Sequence, residues 1–298
     1  MKKIRLAVVV SVMALGSAQA NDAGYAFLKI APGGRASAMG AFTAVENEPQ
    51  AISFNPAGLG ITAKHEVAAS HVELFENMRL EHVVFAHKAL GGTMGYSLLY
   101  LNEGTMEGRD INRNPTGSFT AGEYAAQVNY AGKLGEDVGY GFAIKGLHSK
   151  IENESGTGFA VDVGVNARVA GVTIAASVLN FGKGPKLVSE SSKLPTTLNA
   201  GLAWQAGKGP LLLADARQNI AETRFSAAIG AEQELYELFF IRGGYIYTSD
   251  NNKDPDSKVP RGLSAGFGLK MLGQRLDYAI VSLGELGYSH RITINLAF

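Results

Sequence analysis

From about residue 64 to its end, the chain alternates apolar and polar residues with period two, the mark of strands whose two faces meet different surroundings. The final stretch shows it most clearly. Tyr288, His290, Ile292, Ile294, Leu296 and Phe298 share one face, and Ser289, Arg291, Thr293, Asn295 and Ala297 share the other. Likewise Phe159, Val161, Val163, Val165, Ala167 and Val169 oppose Ala160, Asp162, Gly164, Asn166 and Arg168. Leu198, Ala200, Leu202 and Trp204 oppose Asn199, Gly201, Ala203 and Gln205. The pattern predicts fourteen strands, near 64–73, 80–89, 92–102, 119–133, 138–151, 157–169, 171–181, 196–206, 210–218, 223–234, 238–248, 262–272, 274–282 and 288–298.

Two architectures accommodate so many two-faced strands. In a soluble sandwich the apolar faces meet each other; in an outer-membrane barrel they meet lipid and the polar faces line the lumen. Lys145, Asp162, Arg168, Asn199, Arg242 and Arg291 fall on polar faces, which a dry core would reject and a wet lumen accepts. Loop lengths point the same way. The long polar connections, Glu103–Ser118, Gly182–Pro195 and Ser249–Arg261, occupy odd-numbered gaps. The tight ones, at Gly91-Gly92, Leu134–Asp137, Ala170-Gly171, Gly207–Pro210 and Leu272-Gly273, occupy even-numbered gaps. A transmembrane barrel sorts its loops by parity, long outside and short in the periplasm, and a sandwich has no reason to. The expected fold is therefore all-β and transmembrane: a 14-stranded antiparallel outer-membrane β-barrel, both termini periplasmic, spanning 64–298. Tyr96, Tyr100, Tyr124, Tyr130, Tyr140, Tyr245, Tyr247, Tyr278 and Tyr288 lie near strand ends or one turn in, where interfacial girdles sit.

The start of the chain agrees. Met1 to Ala20 has a basic opening (Lys2, Lys3, Arg5), an apolar run from Leu6 to Leu15, and Ala18-Gln19-Ala20 before Asn21, a cleavable export signal too short to span a bilayer. With the leader's three cations gone, 24 of the 27 basic residues remain against 27 acidic ones, a net charge near −3 that favours neither nucleic acid nor an anionic surface. Cys is absent, which excludes disulfides, thiol chemistry and a lipoprotein anchor. No apolar run beyond the leader reaches the roughly 18 residues a membrane helix needs, so residence in a membrane requires a barrel.

Residues 21–63 do not alternate. Ala31-Pro32-Gly33-Gly34 is a turn signal, Arg35 to Val45 is small and mildly apolar with short helical character, and Asn55-Pro56-Ala57-Gly58-Leu59 is a further turn. A fourteen-strand barrel leaves a lumen its own side chains do not fill. Residues 21–63 are the only material available, and they are expected to enter from the periplasmic end as a plug. Arg35 would then be buried and need an acid, with lumen-facing Asp162 or Glu232 as candidates. Asn55 and Pro56 are expected to shape the turn into the first strand.

These opening residues carry a resemblance. Gly24-Tyr25-Ala26-Phe27-Leu28-Lys29-Ile30, then Gly33 to Val45 (GGRASAMGAFTAV), then Phe54-Asn55-Pro56-Ala57-Gly58-Leu59 resemble the start of the PorV/PorQ family of outer-membrane barrels, within the wider FadL-like group. Beyond them the likeness is architectural only. One glycine, Gly40, follows Met39 where the family pattern has two, and the acidic stretch is shortened to Glu46-Asn47-Glu48. The resemblance makes Arg35, Met39, Gly40, Asn55, Pro56 and Gly58 plug residues. The aromatics Tyr288 and Phe298 resemble the signal that the barrel-assembly machinery reads. PorV-like proteins are scaffolds or shuttles of type IX secretion, implying a protein partner such as a translocon or secreted cargo. FadL-like proteins are the alternative, carrying a hydrophobic ligand such as a fatty acid or hydrocarbon through the lumen. The polarity of the three long connections favours the scaffold. An open general porin is a third reading, disfavoured by the length of the N-terminal segment.

Chemistry is otherwise sparse. His65, His71, His82, His87, His148 and His290 show no metal-ligand spacing, and strand-end positions account for them. No G-x-S-x-G elbow or strand–glycine loop–helix unit is present. The sequence therefore predicts a non-enzyme without cofactor or metal, in contact with outer-membrane lipid.

Overall fold

The computed structural model describes residues 24–60, 65–187, 190–249 and 261–298. The expected leader and most of the Ser249–Arg261 connection lie outside the described residues. The strands are β1 (Glu66–Glu73), β2 (Arg79–Ala89), β3 (Gly92–Arg109), β4 (Pro115–Leu134), β5 (Val138–Ile151), β6 (Glu154–Val169), β7 (Val172–Lys183), β8 (Lys186–Leu187), β9 (Glu190–Ser191), β10 (Thr197–Gln205), β11 (Leu211–Asn219), β12 (Arg224–Leu235), β13 (Phe239–Thr248), β14 (Leu263–Met271), β15 (Gln274–Ser282) and β16 (Tyr288–Ala297). All but β8 and β9, which form a separate small hairpin, join one closed antiparallel barrel of fourteen strands. β1 pairs with β16 from Glu66↔Ala297 to Glu73↔His290, and beyond that ladder His65 and Phe298 exchange both backbone hydrogen bonds at 3.0 Å. Among the described residues no helix is long and apolar enough to cross a membrane.

Each strand sorts its side chains by parity. In β5 Ile144 is 62% exposed, while its neighbours Ala143 and Lys145 are buried. In β16 Ile292 and Ile294 face outward, and Arg291 and Thr293 are buried inward. The outside is thus apolar and the inside polar, the reverse of a soluble core. Outward rings gather in two tiers. Toward the short turns Phe85, His87 and Tyr96 stack, with Tyr130 and Phe142 beside them. Toward the other end Tyr100 stacks on Tyr124 at 4.4 Å, and the Tyr278 hydroxyl lies 2.7 Å from His290 Nδ1.

Two connections differ from expectation. Glu103–Ser118 is mostly strand, because β3 and β4 pair onward past a register shift, through Thr105↔Thr120, to Arg109↔Pro115. Gly182–Pro195 holds the β8–β9 hairpin. His82 also departs from a strand-end location, being buried on the inner face of β2.

Residues 24–60 pack against the inner faces of the strands. Tyr25 and Phe27 pack on Val72, Leu80, Leu101 and Leu147, toward the end with the longer connections. A short helix α1 (Gly34–Met39) lies against β12–β16, and the 3-10 turn Pro56–Leu59 lies against β4, β5 and β6 near the short turns. The apolar core sits between this segment and the wall. Met39, Phe42 and Phe54 pack on small side chains, Ala175, Ala203 and Ala228, and on Leu213.

Candidate functional site

The lumenal segment is too short in regular structure to satisfy its own backbone, and buried backbone groups need partners. The inner faces of the strands supply them. The Asp215 carboxylate accepts the backbone N–H of Phe42 (2.8 Å) and of Thr43 (3.1 Å), and also the Thr43 hydroxyl (2.8 Å). The Phe54 carbonyl accepts from Ser177 Oγ at 2.7 Å and Asn199 Nδ2 at 3.3 Å. Asn129 and Asn166 donate to the carbonyls of Pro56 and Ala57. Asn55 accepts the Ala57 N–H, and its own amide donates to Thr43 O (3.1 Å) and to Val165 O of β6 (3.2 Å). Gly34 N–H donates to Thr293 Oγ1, and Ser264 Oγ donates to Ala38 O.

Close approach of this backbone requires missing side chains in the wall. Gly141 and Gly164 are cross-strand partners on β5 and β6, and Asn55-Pro56 fill the space above them. Gly230 and Gly244, partners on β12 and β13, receive the Met39 carbonyl. A methyl group on either would lie 2.3 or 2.2 Å from that oxygen. Gly201 and Gly266 make similar room for Thr43 and Ala38. The segment itself uses Gly40, at φ 71°, to end α1 with a backbone bond to Ala36 O. Gly58 is needed because a side chain there would strike Val45 O and Ala51.

Charge secures the fit. Arg35 forks onto Glu232, with Nε–Oε2 at 2.8 Å and Nη2–Oε1 at 2.7 Å, and reaches Glu48 at 2.9 Å. Arg242 joins Glu232 (2.6 Å) to Asp277 (2.8 Å), and Arg275 joins Asp277 (2.7 Å) to Glu48 (2.6 Å). Three cations and three anions therefore close a ring between segment and wall. Burial alone would raise the Glu48 carboxyl, but the Arg275 and Arg35 guanidiniums beside it hold it below the ordinary carboxylate value. Asp162, the other candidate for Arg35, pairs with Lys145 at 2.7 Å and accepts the Asn180 N–H at a register shift between β6 and β7. Arg291 donates to Ala31 O and Ser37 Oγ, and Arg168, well exposed at the short-turn end, reaches Glu46. Tyr288 faces outward, and Phe298 packs edge-on against His65. Among the described residues no metal-binding cluster is found.

Glu48, Asp215, Arg275 and Asp277 are charged participants that sequence reasoning missed. Their only signal was a charged residue on a polar strand face, or, for Glu48, one in a loop.

Above the ring, toward the longer connections, a cavity of about 620 Å³ opens. Its apolar lining includes Tyr25 and Phe27 of the segment, Leu74, Phe75 and Met78 between β1 and β2, and Leu101 of β3. Its volume lies within the usual range for small-molecule sites.

No protein-family model and no curated protein matches the sequence. Solved structures with the same fold do. The toluene transporter TodX of Pseudomonas putida aligns with TM-score 0.67 at 12% identity, over 89% of this chain and 98% of that one. The monoaromatic hydrocarbon channel CymD gives 0.60 at 10% identity, over 89% and 96%. A FadL homologue of Pseudomonas aeruginosa gives 0.56 at 10%, over 89% and 97%.

Proposed function

We propose that the chain is a non-enzymatic outer-membrane barrel that admits hydrophobic small molecules, with residues 24–60 as its plug. One observation carries the reading: a largely apolar cavity of about 620 Å³ under the long-connection rim of a closed barrel, against whose inner faces residues 24–60 pack. The apolar outer face with its two aromatic tiers supports a membrane setting. The shared fold of a toluene transporter and a hydrocarbon channel supports the same class of cargo.

The secretion-scaffold reading implied by the opening residues leaned on the polarity of the long connections. Among the described residues those connections give the cavity lining only Glu103 and Arg261; the rest comes from the segment, the β1–β2 turn and the strands, so loop polarity says little about what the interior accepts. That moves the reading to the transporter.

Expression in a Gram-negative host without a hydrocarbon channel tests it, by uptake of a radiolabelled alkylbenzene. Uptake should rise with the intact chain and fall when Phe27→Asp places a charge in the lining. Uptake no faster than in the empty host, together with a stoichiometric protein partner in gentle-detergent pull-downs, would return the reading to the scaffold.

A further inference from the structure

The cavity's charges are unevenly satisfied. Lys29 pairs with Glu222, Arg217 with Asp215 and the Gly40 carbonyl, and Arg291 with Ala31 O, Ser37 Oγ and Ser289 Oγ. Arg261 stands exposed at the rim. The side chains of the two acids in the lining, Glu103 of β3 and Glu123 of β4, are half-buried and have no hydrogen-bond or ion-pair partner among the described residues. They sit on neighbouring paired strands, Glu123 opposite Leu101 and Glu103 two residues further along β3. Tyr25 borders the same cavity, is 4% exposed, leaves its hydroxyl without a partner, and is near enough to Glu123 to feel that carboxylate.

Unpaired carboxylates in a largely apolar recess are costly unless something neutralises them. The same cavity is lined by the rings of Tyr25, Phe27 and Phe75, and aromatic faces attract cations. Buried donors would have suited an anionic headgroup, but the buried cations here already hold protein partners. We infer that the cavity selects apolar molecules bearing a cationic amine, the ammonium seated between Glu103 and Glu123 and the apolar body against the rings and Leu101. This rests on the transporter reading and specifies its cargo.

The test uses the purified full chain in non-ionic detergent and three probes of one size: 2-phenylethylamine, 2-phenylethanol and ethylbenzene. Calorimetry or saturation-transfer NMR reads binding. Phenylethylamine should bind about tenfold more tightly than the neutral pair, the scale of one modest charge interaction. E103Q/E123Q should remove that preference, with unaltered heat-modifiable migration on a semi-native gel showing that the barrel is intact. If ethylbenzene binds but the amine has no advantage, or keeps it in E103Q/E123Q, the cation inference falls and the transporter reading stands. If none of the three binds, both fall. Should E103Q/E123Q fail to fold, the single E123Q variant takes its place, and the amine advantage should drop at least threefold; an undiminished advantage overturns the inference.

Discussion

Replacing Arg35 by Ala removes the one cation that the lumenal segment itself contributes to the charge ring. Three charge-assisted bonds are lost, two to Glu232 and one to Glu48. Breaking a buried pair by deleting one partner costs ~3–5 kcal/mol when it strands the other charge. Neither acid is fully stranded here, since Glu48 keeps Arg275 and Glu232 keeps Arg242, each at 2.6 Å. The lower end applies, about 3 kcal/mol, which raises the undocked population of the segment on the order of a hundredfold. Limited digestion with a low dose of non-specific protease reads that population directly when reclosing outpaces cleavage. Arg35→Ala should therefore lose the segment about a hundred times faster than the parent and unfold at lower temperature on a semi-native gel. Arg35→Lys keeps the charge without the fork and should fall between the two. Cleavage of Arg35→Ala within twofold of the parent, at unchanged migration temperature, would refute the reasoning.

Further outcomes can be checked with similar tools. Gly244→Val puts side-chain atoms onto the Met39 carbonyl and should destabilise the docked segment by about 1–3 kcal/mol or more. Gly146→Ala, facing open space outside, should leave protease protection unchanged. Glu48 is held below its ordinary value of 4.5, so its contribution is complete above that pH and is lost as pH falls through the folded-state value. Segment protection should accordingly be flat from pH 7 to about 5 and decline in stronger acid; a decline that begins near neutrality would point to another group. In planar bilayers the intact chain should be nearly silent, whereas a variant lacking residues 24–60 should conduct in steps. Phe298→Ala should lower the folded fraction recovered from membranes, measured by heat-modifiability.

Much of the barrel was legible because a two-sided environment writes itself into a strand at every second residue. Ile292 and Ile294 must be apolar for one reason, Arg291 and Thr293 polar for another. Where the environment stops being two-sided, legibility stops too. Beyond Asn102 the outward positions of β3 no longer need to be apolar, and Glu103–Ser118 reads as loop although its backbone pairs to the end. Arg35 invited an acidic partner from burial alone. Which acid it met depended on where α1 came to rest, which period-two reasoning does not address: Glu232 was within reach, and Asp162 was engaged by Lys145. The cavity was illegible for a similar reason. Its lining joins residues from Gly24 to Arg291, and no local pattern links them.

The glycine pairs have a consequence for the order of events in assembly. The seat for Met39 needs β12 and β13 side by side, and the Gly34 N–H needs Thr293 of β16. Residues 24–60 precede every strand along the chain, yet the surface that fits them is complete only when the last strand has joined the first. Docking and closure are therefore coupled, each completing the template for the other. A foreign segment offered to this barrel would meet a mould cast around a different backbone.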